Sequence, residues 1–341
     1  MMYYIIALLV IGYILITWFV RSRRIKDYSD RFVFITGCDS GFGNGLARRL
    51  DRLGFHTFAA CLTEKGADDL TKATSTRLVA VCCDVTDDDV IKQTVATVKE
   101  HLPNGKGTAI TALAPDMEVT MSGRRSGVGI WALVNNAGVT GAVAPTEWLS
   151  REDWKIPMSV NILGMASITN HFLPLLRISG GRIINTSSVL GRVAAGPTPY
   201  VVSKYCVEGY SDLLRRELWH QGVSVHIIEP GAFKTNITNP GVLAPSMEKA
   251  YRKLDPEVQQ YYGKEYCSGL ETLMGLLSWE ADGNLDKVVD AYTHAITAVY
   301  PKTRYVVGVD ANILFRLLWH VPDIITDLLL GLTYPRPQGQ R

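Results

Sequence analysis

The stretch FVFITGCDSGFGNGLARRL, residues 32–50, decides the fold. Its first six residues are typical of a buried β-strand, and the residues that follow the turn predict a helix that ends at Gly54. Between them lie Gly37, Gly41 and Gly43 in a TGxxxGxG pattern. Glycine lets the backbone turn sharply and approach a pyrophosphate, which the free N–H groups at the helix N-terminus would meet. This turn therefore indicates a dinucleotide-binding domain.

The alternation of strand and helix continues along the chain. Further apolar runs typical of strands are HTFAACL, RLVAVCCDV, WALVNNAG, GRIINTSS and VSVHIIEPG, and amphipathic runs such as ADDLTKAT and DDDVIKQTVATVKEHL predict helices between them. Strands that are almost continuously apolar and alternate with helices favour a parallel sheet covered on both faces. We therefore predict one Rossmann-like, doubly wound α/β domain over residues 31–310.

Residues 107–129 interrupt this rhythm. The segment is rich in Gly, Ser and Thr and carries Arg124 and Arg125, which we expect to be solvated. Connections between elements usually contain two to six residues, so we predict a flexible insert here. It would lie at the N-terminal edge of the sheet, away from the ligand crevice.

The sequences at both ends of the chain indicate association with a membrane. Residues 1–20 carry no charged side chain, and a helix of that length spans roughly 30 Å, the thickness of a bilayer core. The bulky WFV and the basic linker, residues 21–30, that follows favour a retained transmembrane anchor over a cleaved signal peptide, with the bulk of the protein facing the cytoplasm. Residues 311–341 are apolar but interrupted by charges, which favours a helix lying at the membrane interface or covering the core.

Composition excludes several classes of protein. With a formal net charge of +2 and only short basic runs, the chain lacks the basic face that nucleic-acid binding requires. The cysteines are scattered without CxxC pairs, which indicates neither a zinc site nor a disulfide framework and favours a reducing compartment. They are Cys38, Cys61, Cys82, Cys83, Cys206 and Cys267.

A tyrosine and a lysine lie four residues apart in PYVVSK, residues 199–204. On a helix this spacing places Tyr200 and Lys204 on one face, whereas Tyr205 points about 100° away and is expected to serve packing. Taken alone, such a pair is most often an exposed Lys beside a half-buried Tyr. His220 and His226 are expected to be ordinary surface or core histidines.

Seven motifs give the pair a context: TGCDSGFG, CDVTD, NNAG, VNILG, TSSVLGR, YVVSK and EPGAFKT. Their order and spacing resemble the short-chain dehydrogenase/reductase family. The chain is most similar to its membrane-anchored branch of retinol dehydrogenases and 17-beta-hydroxysteroid dehydrogenase type 6-like oxidoreductases. The resemblance covers about residues 1–330 apart from the insert, and it implies an endoplasmic reticulum location and allows a homodimer.

The resemblance implies four catalytic residues. Tyr200 would be the acid/base, and Lys204 would lower its pKa and hydrogen-bond the nicotinamide ribose. Ser188 would hold the substrate oxygen, and Asn161 would position a water behind the lysine. Ser187 could replace Ser188 if the turn were one residue shorter.

The resemblance favours NAD as the cofactor and leaves NADP open. Cys61 and Leu62 occupy the end of the second strand, where NAD enzymes usually carry an acid and NADP enzymes a basic residue. Glu64 could instead reach the ribose, and Lys65 could reach a 2′-phosphate. The predicted cofactor-binding residues are Gly37, Ser40, Gly41, Phe42, Gly43, Asp84, Asn136, Gly138, Tyr200, Lys204 and Thr235.

The segment after Gly231 is long and rich in Leu, Met and Tyr, as expected of a lid over an apolar ligand, although helices that merely cap the sheet would look alike. With the membrane anchor, it favours a lipophilic alcohol such as retinol or a hydroxysteroid. Two alternatives stay open. A 3-hydroxybutyrate dehydrogenase-like enzyme would need a mitochondrial presequence and a basic pocket, and a non-catalytic nucleotide-binding membrane protein would not need the four residues above.

Overall fold

The computed structural model describes residues 2–103, 128–279 and 281–340. The predicted insert, including Arg124 and Arg125, lies outside the described residues except for its last two positions. The described chain contains a seven-stranded sheet in the order β3-β2-β1-β4-β5-β6-β7, and all of its strand pairs are parallel. The predicted Rossmann-like α/β fold is thus confirmed. The strands are β1 Phe32–Thr36, β2 His56–Cys61, β3 Leu78–Cys82, β4 Ile130–Asn135, β5 Arg182–Thr186, β6 Ser224–Pro230 and β7 Arg304–Val307.

Helices cover both faces of the sheet. One core layer joins the strands to α2, α3 and α11, and the other joins them to α4, α6 and α7. The α-helices are α1 Met2–Ser22, α2 Gly41–Leu53, α3 Glu64–Lys72, α4 Asp88–His101, α5 Arg151–Met158, α6 Met165–Ser179, α7 Thr198–Glu217, α8 Pro240–Arg252, α9 Pro256–Tyr262, α10 Lys264–Trp279, α11 Asp286–Thr297, α12 Arg316–Leu318 and α13 Asp323–Gly331. Because both faces are covered, every residue of β1 and of β4 is buried.

Local signals in the sequence fix several element boundaries. Gly54 ends α2 in the left-handed conformation with φ 94°, as the sequence predicts. Asp87 begins α4 by accepting hydrogen bonds from the backbone N–H groups of Asp89 and Val90. The sequence did not predict β7, because its four residues are too few to show a period and lie at the edge of the sheet.

The strand order reverses between β1 and β4. The chain proceeds from β1 to β2 and β3 on one side, and from β4 to β5, β6 and β7 on the other. Loops after β1 and β4 therefore diverge and leave a crevice at the carboxyl edge of the sheet, where such folds bind ligands. The glycine-rich turn follows β1, and Asn136 follows β4, so both lie at this crevice.

The basic linker after α1 lies against the opposite edge of the sheet. The N–H of Ile25 donates to the carbonyl of Thr297 at 2.8 Å, and the N–H of Val299 donates to the carbonyl of Arg23 at 2.9 Å. Across the described ranges, no helix is both long enough and apolar enough to cross a membrane. Residues 2–20 of the predicted anchor are helical as part of α1, and the membrane role of the anchor stays a prediction.

The C-terminal helices leave much apolar surface uncovered. Leu318 of α12 is buried, but Leu317 is 60% exposed, and Ile324 and Leu328 of α13 are 75% and 64% exposed. The sequence allowed residues 311–341 either to cover the core or to lie at a membrane interface. Covering the core applies to single residues such as Leu318.

Candidate active site

The glycine-rich turn is packed too closely for larger residues. Gly37 has φ 70° and Gly41 has φ 63°, a region that L-residues rarely adopt. A Cβ placed on Gly43 would lie 2.3 Å from the carbonyl oxygen of Gly37 and 2.5 Å from Nδ2 of Asn136. The turn is thus folded onto the start of α2 and onto the end of β4 at the same time.

Asn136 joins the two loops that border the crevice. Its Nδ2 donates to the carbonyl oxygens of Thr36 and Gly37, each at 2.9 Å, and its backbone N–H donates to Oγ1 of Thr36 at 3.0 Å. Its Oδ1 accepts from the hydroxyl of Tyr292 at 3.3 Å. Asn136 therefore holds the turn in shape, which is a structural task additional to the cofactor contact that the sequence predicts.

The start of α2 has the features that a pyrophosphate requires. Its N-cap, Ser40, forms no capping hydrogen bond through its side chain, so the first N–H groups of the helix have no side-chain acceptor there. Thr235 approaches from the loop after β6, with its methyl group 3.9 Å from a Cβ placed on Gly41. Nδ2 of Asn236 donates to Oγ of Ser40 at 3.3 Å. These residues fit the phosphate part of a dinucleotide.

Phe42 contributes to this corner by packing rather than by polar contact. Its ring stands edge-on to that of Phe233 at a centroid distance of 5.7 Å. Asp84 lies farther along the same edge, after β3, and is exposed. Its Oδ1 accepts hydrogen bonds from the backbone N–H and from the hydroxyl of Thr86, at 2.8 and 2.7 Å. The other carboxylate oxygen of Asp84, Oδ2, takes part in neither of these hydrogen bonds.

Asp39 is a residue at the cofactor edge that sequence reasoning missed. Its carboxylate accepts from the N–H of Leu62 at 2.7 Å, and from the N–H and the hydroxyl of Thr63 at 3.0 and 2.7 Å. Burial would raise the pKa of this carboxyl, but the hydrogen bonds from Thr63 and Leu62 outweigh burial and lower it. An acid thus does stand at the end of β2. It comes from the turn after β1, so a search confined to the second strand could not find it.

The predicted pair on α7 is assembled as its spacing indicates. Nζ of Lys204 lies 5.5 Å from the centroid of the Tyr200 ring and donates to the carbonyl of Thr186, at the end of β5, at 2.8 Å. Lys204 is only 4% exposed, and burial lowers its pKa to about 8, against the opposing effect of Glu208. The ammonium form therefore still predominates at pH 7.

The protonation of Tyr200 differs from the sequence-based expectation. We expected Lys204 to lower the pKa of the phenol. In the structure, burial raises this pKa to about 12, and only a hydrogen bond with the side chain of Ser188 acts in the opposite direction. Burial of the phenol is the largest cause of this shift, and Ser188, not Lys204, is the group that opposes it.

The structure distinguishes Ser188 from Ser187. The side chain of Ser188 lies close enough to Tyr200 to lower the pKa of its phenol, and its Oγ donates to the carbonyl of Pro230 at 3.4 Å and accepts from the N–H of Leu190 at 3.2 Å. Ser187 turns the other way, and its Oγ donates to the backbone carbonyl of Lys204 at 3.4 Å. Ser188 is therefore the serine that shares the space in front of Tyr200.

Asn161 lies in a π-helical turn, Ser159–Gly164, between α5 and α6. Its Oδ1 accepts from the N–H of Val139 at 2.9 Å, while its Nδ2 donates to the carbonyl of Val139 and to Oγ of Ser203, each at 2.9 Å. A Cβ on Gly138 would lie 3.3 Å from Oδ1 of Asn161 and 3.7 Å from Nζ of Lys204. Gly138 thus allows the loop after β4 to pass between them.

The weaker candidates lie elsewhere. Tyr205 is 42% exposed on the outer side of α7, so it is a surface residue and not the packing residue that we expected. His220 is exposed. His226 is buried on β6, where it contacts the carbonyl of Lys302 at 2.7 Å and Oγ of Ser224 at 2.9 Å. It is the ordinary core histidine that the sequence predicts.

Comparison with known proteins agrees with this geometry. The family model for "short chain dehydrogenase" matches residues 31–112 and 118–243, more than half of the chain. The chain belongs to the short-chain dehydrogenase family. As a member of that family it is an oxidoreductase, and the family assignment made from the seven motifs is confirmed.

Relatives within the family match nearly the whole chain. "Dehydrogenase/reductase SDR family member 9" of Homo sapiens is 41% identical, over 94% of this chain and 95% of its own. "17-beta-hydroxysteroid dehydrogenase type 6" of Homo sapiens is 41% identical, over 95% of each chain. "Retinol dehydrogenase 16" of Mus musculus is 39% identical, over 98% of each chain. These names match the branch that the sequence predicts.

Solved structures of the family share the fold. A short-chain dehydrogenase from Streptomyces avermitilis superposes with a TM-score of 0.64 at 24% identity, covering 88% of this chain and 95% of its own. An enzyme from Burkholderia phymatum in complex with NAD has a TM-score of 0.59 at 20% identity, with coverages of 80% and 87%. One from Burkholderia cenocepacia in complex with NADP has a TM-score of 0.61 at 20% identity, with coverages of 88% and 97%. The short-chain dehydrogenase fold thus accommodates either cofactor.

Proposed function

We propose that this short-chain dehydrogenase interconverts a lipophilic alcohol and its carbonyl compound with NAD as the cofactor. The observation that carries the proposal is the meeting of Tyr200, Ser188 and Lys204 at the carboxyl edge of the sheet. These side chains come from the loop after β5 and from α7, and they share one space although up to sixteen positions separate them.

Each residue has a role that its contacts support. Ser188 would hold the substrate oxygen, and Tyr200 would exchange a proton with that oxygen through its phenolic hydroxyl. The nicotinamide ring, when bound, supplies the site that accepts or gives up hydride. With a pKa of about 12, Tyr200 is a neutral phenol at pH 7, the form that donates a proton to a carbonyl. In the oxidative direction the positive charge of Lys204 would stabilise the phenolate as the proton leaves.

Lys204 and Asn161 would fix the geometry around the proton transfer. Lys204 is held by the carbonyl of Thr186, and Asn161 is held by both backbone groups of Val139. Neither side chain can rotate without breaking buried hydrogen bonds, which is the rigidity that an aligned reaction requires. We propose that Lys204 contacts the nicotinamide ribose and that Asn161 positions a water behind it.

The residues at the cofactor edge favour NAD. Gly37, Gly41 and Gly43 would let the pyrophosphate approach the start of α2. Asp39 places a carboxylate at the end of β2, where an acid suits a ribose hydroxyl and repels a 2′-phosphate. Lys65 is exposed nearby and is the group that could offset this repulsion.

A lid built from α8, α9 and α10 supports an apolar substrate. It forms a small core of its own around Trp148, whose ring lies 5.3 Å from that of Tyr251 and 5.1 Å from that of Tyr262. The hydroxyl of Tyr262 donates to Glu147 at 2.8 Å. The lid is thus joined to the loop after β4 that borders the site. With relatives named for retinol and for a hydroxysteroid, we propose retinoids or hydroxysteroids as substrates.

The deciding experiment measures NADH formation by the membrane-bound protein with all-trans-retinol, an androstanediol and 3-hydroxybutyrate in parallel. Turnover of all-trans-retinol or of the androstanediol supports the proposal, and turnover of 3-hydroxybutyrate alone contradicts the proposed substrate class. Cofactor binding without any turnover would favour the nucleotide-binding scaffold.

Substitution of the two neighbouring tyrosines tests the acid/base. Tyr200→Phe should lower kcat by at least about a hundredfold, since a positioned acid/base contributes about 10²–10⁴ in rate, and it should leave cofactor affinity unchanged. Tyr205→Phe is the matched control and should keep full activity. Loss of activity in the control alone would show that the acid/base is assigned to the wrong tyrosine.

We also propose that both ends of the chain attach the protein to a membrane of the endoplasmic reticulum, with the catalytic domain on the cytoplasmic side. The support at the N-terminus is the uncharged sequence of residues 1–20 followed by basic residues. At the C-terminus it is the row of exposed apolar side chains on α12 and α13, which a lipid surface would cover.

Fluorescent labels can test the C-terminal attachment on the full chain. We would label Leu328→Cys, with Leu213→Cys on α7 as control, since these leucines are 64% and 61% exposed, in a background where the exposed Cys82 is serine. In vesicles containing lipids brominated in their tails, the label at position 328 should be quenched and the label at 213 should not. Equal quenching, or none at 328, would contradict the attachment.

A further inference from the structure

A buried cluster of charges lies behind the catalytic helix, outside the site described above. Glu208 of α7 and Glu229 of β6 are 6% and 0% exposed. Arg304 of β7 pairs with both, directly with Glu208 and at 2.7 Å with Oε1 of Glu229. Arg192 approaches from the loop after β5, 3.5 Å from Glu208 and 3.4 Å from Glu229.

Glu208 is the member of this cluster that touches the catalytic groups. It follows Lys204 by four residues, so both side chains lie on one face of α7. Its carboxylate lies close enough to Ser187, the residue directly before Ser188, for that side chain to lower its pKa, but Oε1 of Glu208 is buried without a hydrogen-bond partner among the described residues. Oγ of Ser187 donates to the carbonyl of Lys204 at 3.4 Å instead. Glu208 therefore lies where the turn that carries Ser188 packs against the helix that carries Lys204.

Gly191 shows how closely this turn is held against α7. A Cβ there would lie 2.7 Å from Oγ of Ser187, 2.9 Å from the carbonyl of Lys204 and 3.1 Å from Cγ of Glu208. No side chain larger than hydrogen fits between the three groups, so a shift of Glu208 would be passed directly to the turn.

We propose, on the basis of the function proposed above, that Glu208 is a positioning residue that holds the turn of Ser188 against α7 and places a carboxylate on the face of α7 that carries Lys204. Glu229 carries the same charge and binds the same arginine, but it lies on β6 and has no contact with Ser187 or Lys204 among the described bonds. The two carboxylates therefore form a matched pair that separates the proposed role from general stability.

The charges around Lys204 support this assignment. Burial favours the neutral amine of Lys204, and Glu208 is the charged group that opposes it. On Glu208 itself, burial and the neighbouring Glu229 raise the pKa of the carboxyl, while the bond from Ser187 and the charge of Arg304 lower it. Arg192 faces Glu208 from the loop after β5, and Asp212 of α7 pairs with Arg304 at 2.7 Å. On balance the pKa of Glu208 is raised, and Arg304 is one of the groups that oppose this rise.

The test compares Glu208→Gln, Glu208→Asp and Glu229→Gln by fluorescence titration of NADH binding between pH 6 and 10. In the wild type, affinity should fall as Lys204 loses its proton. Glu208→Gln should move the midpoint of this fall to lower pH by about one unit, a typical effect of removing one nearby charge. Glu208→Asp keeps the charge and should return the midpoint most of the way to the wild-type value. Glu229→Gln should leave the midpoint unchanged.

A second measurement works without cofactor. The pKa of Lys204 is lower in the folded chain than in the unfolded chain, so the unfolded chain binds more protons above about pH 8, and stability should rise with pH toward 10. Glu208→Gln should move the start of this rise to lower pH, and Lys204→Met should remove it. The matched Glu229→Gln variant should keep the wild-type start.

The outcomes separate the two proposals. Equal shifts in Glu208→Gln and Glu229→Gln, or no shift in either measurement, would overturn the role of Glu208 whether or not the enzyme turns over. If the variants show the predicted shifts but the wild type oxidises no alcohol, the result would instead contradict the proposed function and leave the role of Glu208 supported.

Discussion

At the scale of single residues, burial acts on Tyr200 and Lys204 in opposite directions. It raises the pKa of the phenol to about 12 and lowers that of the amine to about 8, so both shifts favour the neutral forms. An ionised group in this site therefore carries a large desolvation penalty and needs a partner that offsets it. Glu208 provides one for Lys204, and Ser188 provides a hydrogen bond for Tyr200.

His226 gives a prediction for stability against pH. Burial, the largest effect, lowers the pKa of His226 to about 4, below the ordinary value of about 6.5, so the unfolded chain binds more protons between these values. The contribution of His226 is complete above pH 6.5 and is lost as the pH falls toward 4, by on the order of 3 kcal/mol. Unfolding by urea across this range should show a shallower loss in His226→Gln.

The exposed His220 is the control for this experiment, because His220→Gln changes a histidine that is not buried. It should leave the dependence of stability on pH unchanged. If His226→Gln loses stability as steeply as the wild type, the loss comes from other groups.

At the scale of elements, replacing a helical glycine by alanine should weaken cofactor binding at one position and stabilise the protein at another. A Cβ on Gly43 of α2 would lie 2.3 Å from a backbone oxygen, so Gly43→Ala should open the turn and weaken NADH binding at least tenfold. A Cβ on Gly209 of α7 would meet no atom within 4 Å, so Gly209→Ala should stabilise the protein by about 0.5–1 kcal/mol. Titration with NADH and chemical denaturation check the two effects. Unchanged NADH affinity in Gly43→Ala would contradict the fit of this turn to a pyrophosphate.

At the scale of the whole molecule, the described residues that flank the insert lie at the edge of the sheet opposite the site. Residues 107–129 connect the end of α4 to the start of β4, whereas the carboxyl end of β4 borders the crevice. Deletion of residues 107–129 should therefore leave kcat and KM within about twofold of the wild type, because both described ends of the insert lie away from the crevice and loop length alone costs little. A larger change in KM with unchanged stability would show that the insert reaches the substrate.

Local patterns in the sequence were sufficient for much of the fold. The glycine spacing in residues 37–43 predicted the turn, and Gly54 predicted the end of α2, because both depend on backbone conformations that few other residues adopt. The four-residue spacing predicted that Tyr200 and Lys204 share a face of α7, because helix geometry alone decides it. The long apolar strands predicted the covered parallel sheet.

The sequence by itself determined the order of elements and the dinucleotide turn, since each depends on neighbours in the chain. Its resemblance to a family indicated the four candidate catalytic residues. Only the tertiary structure decided which serine faces Tyr200, that Asp39 closes the end of β2, and that Glu208 of α7 pairs with Arg304 of β7. These facts depend on residues far apart in the chain that meet through packing. The raised pKa of Tyr200 has the same origin, because desolvation is set by everything that surrounds a group.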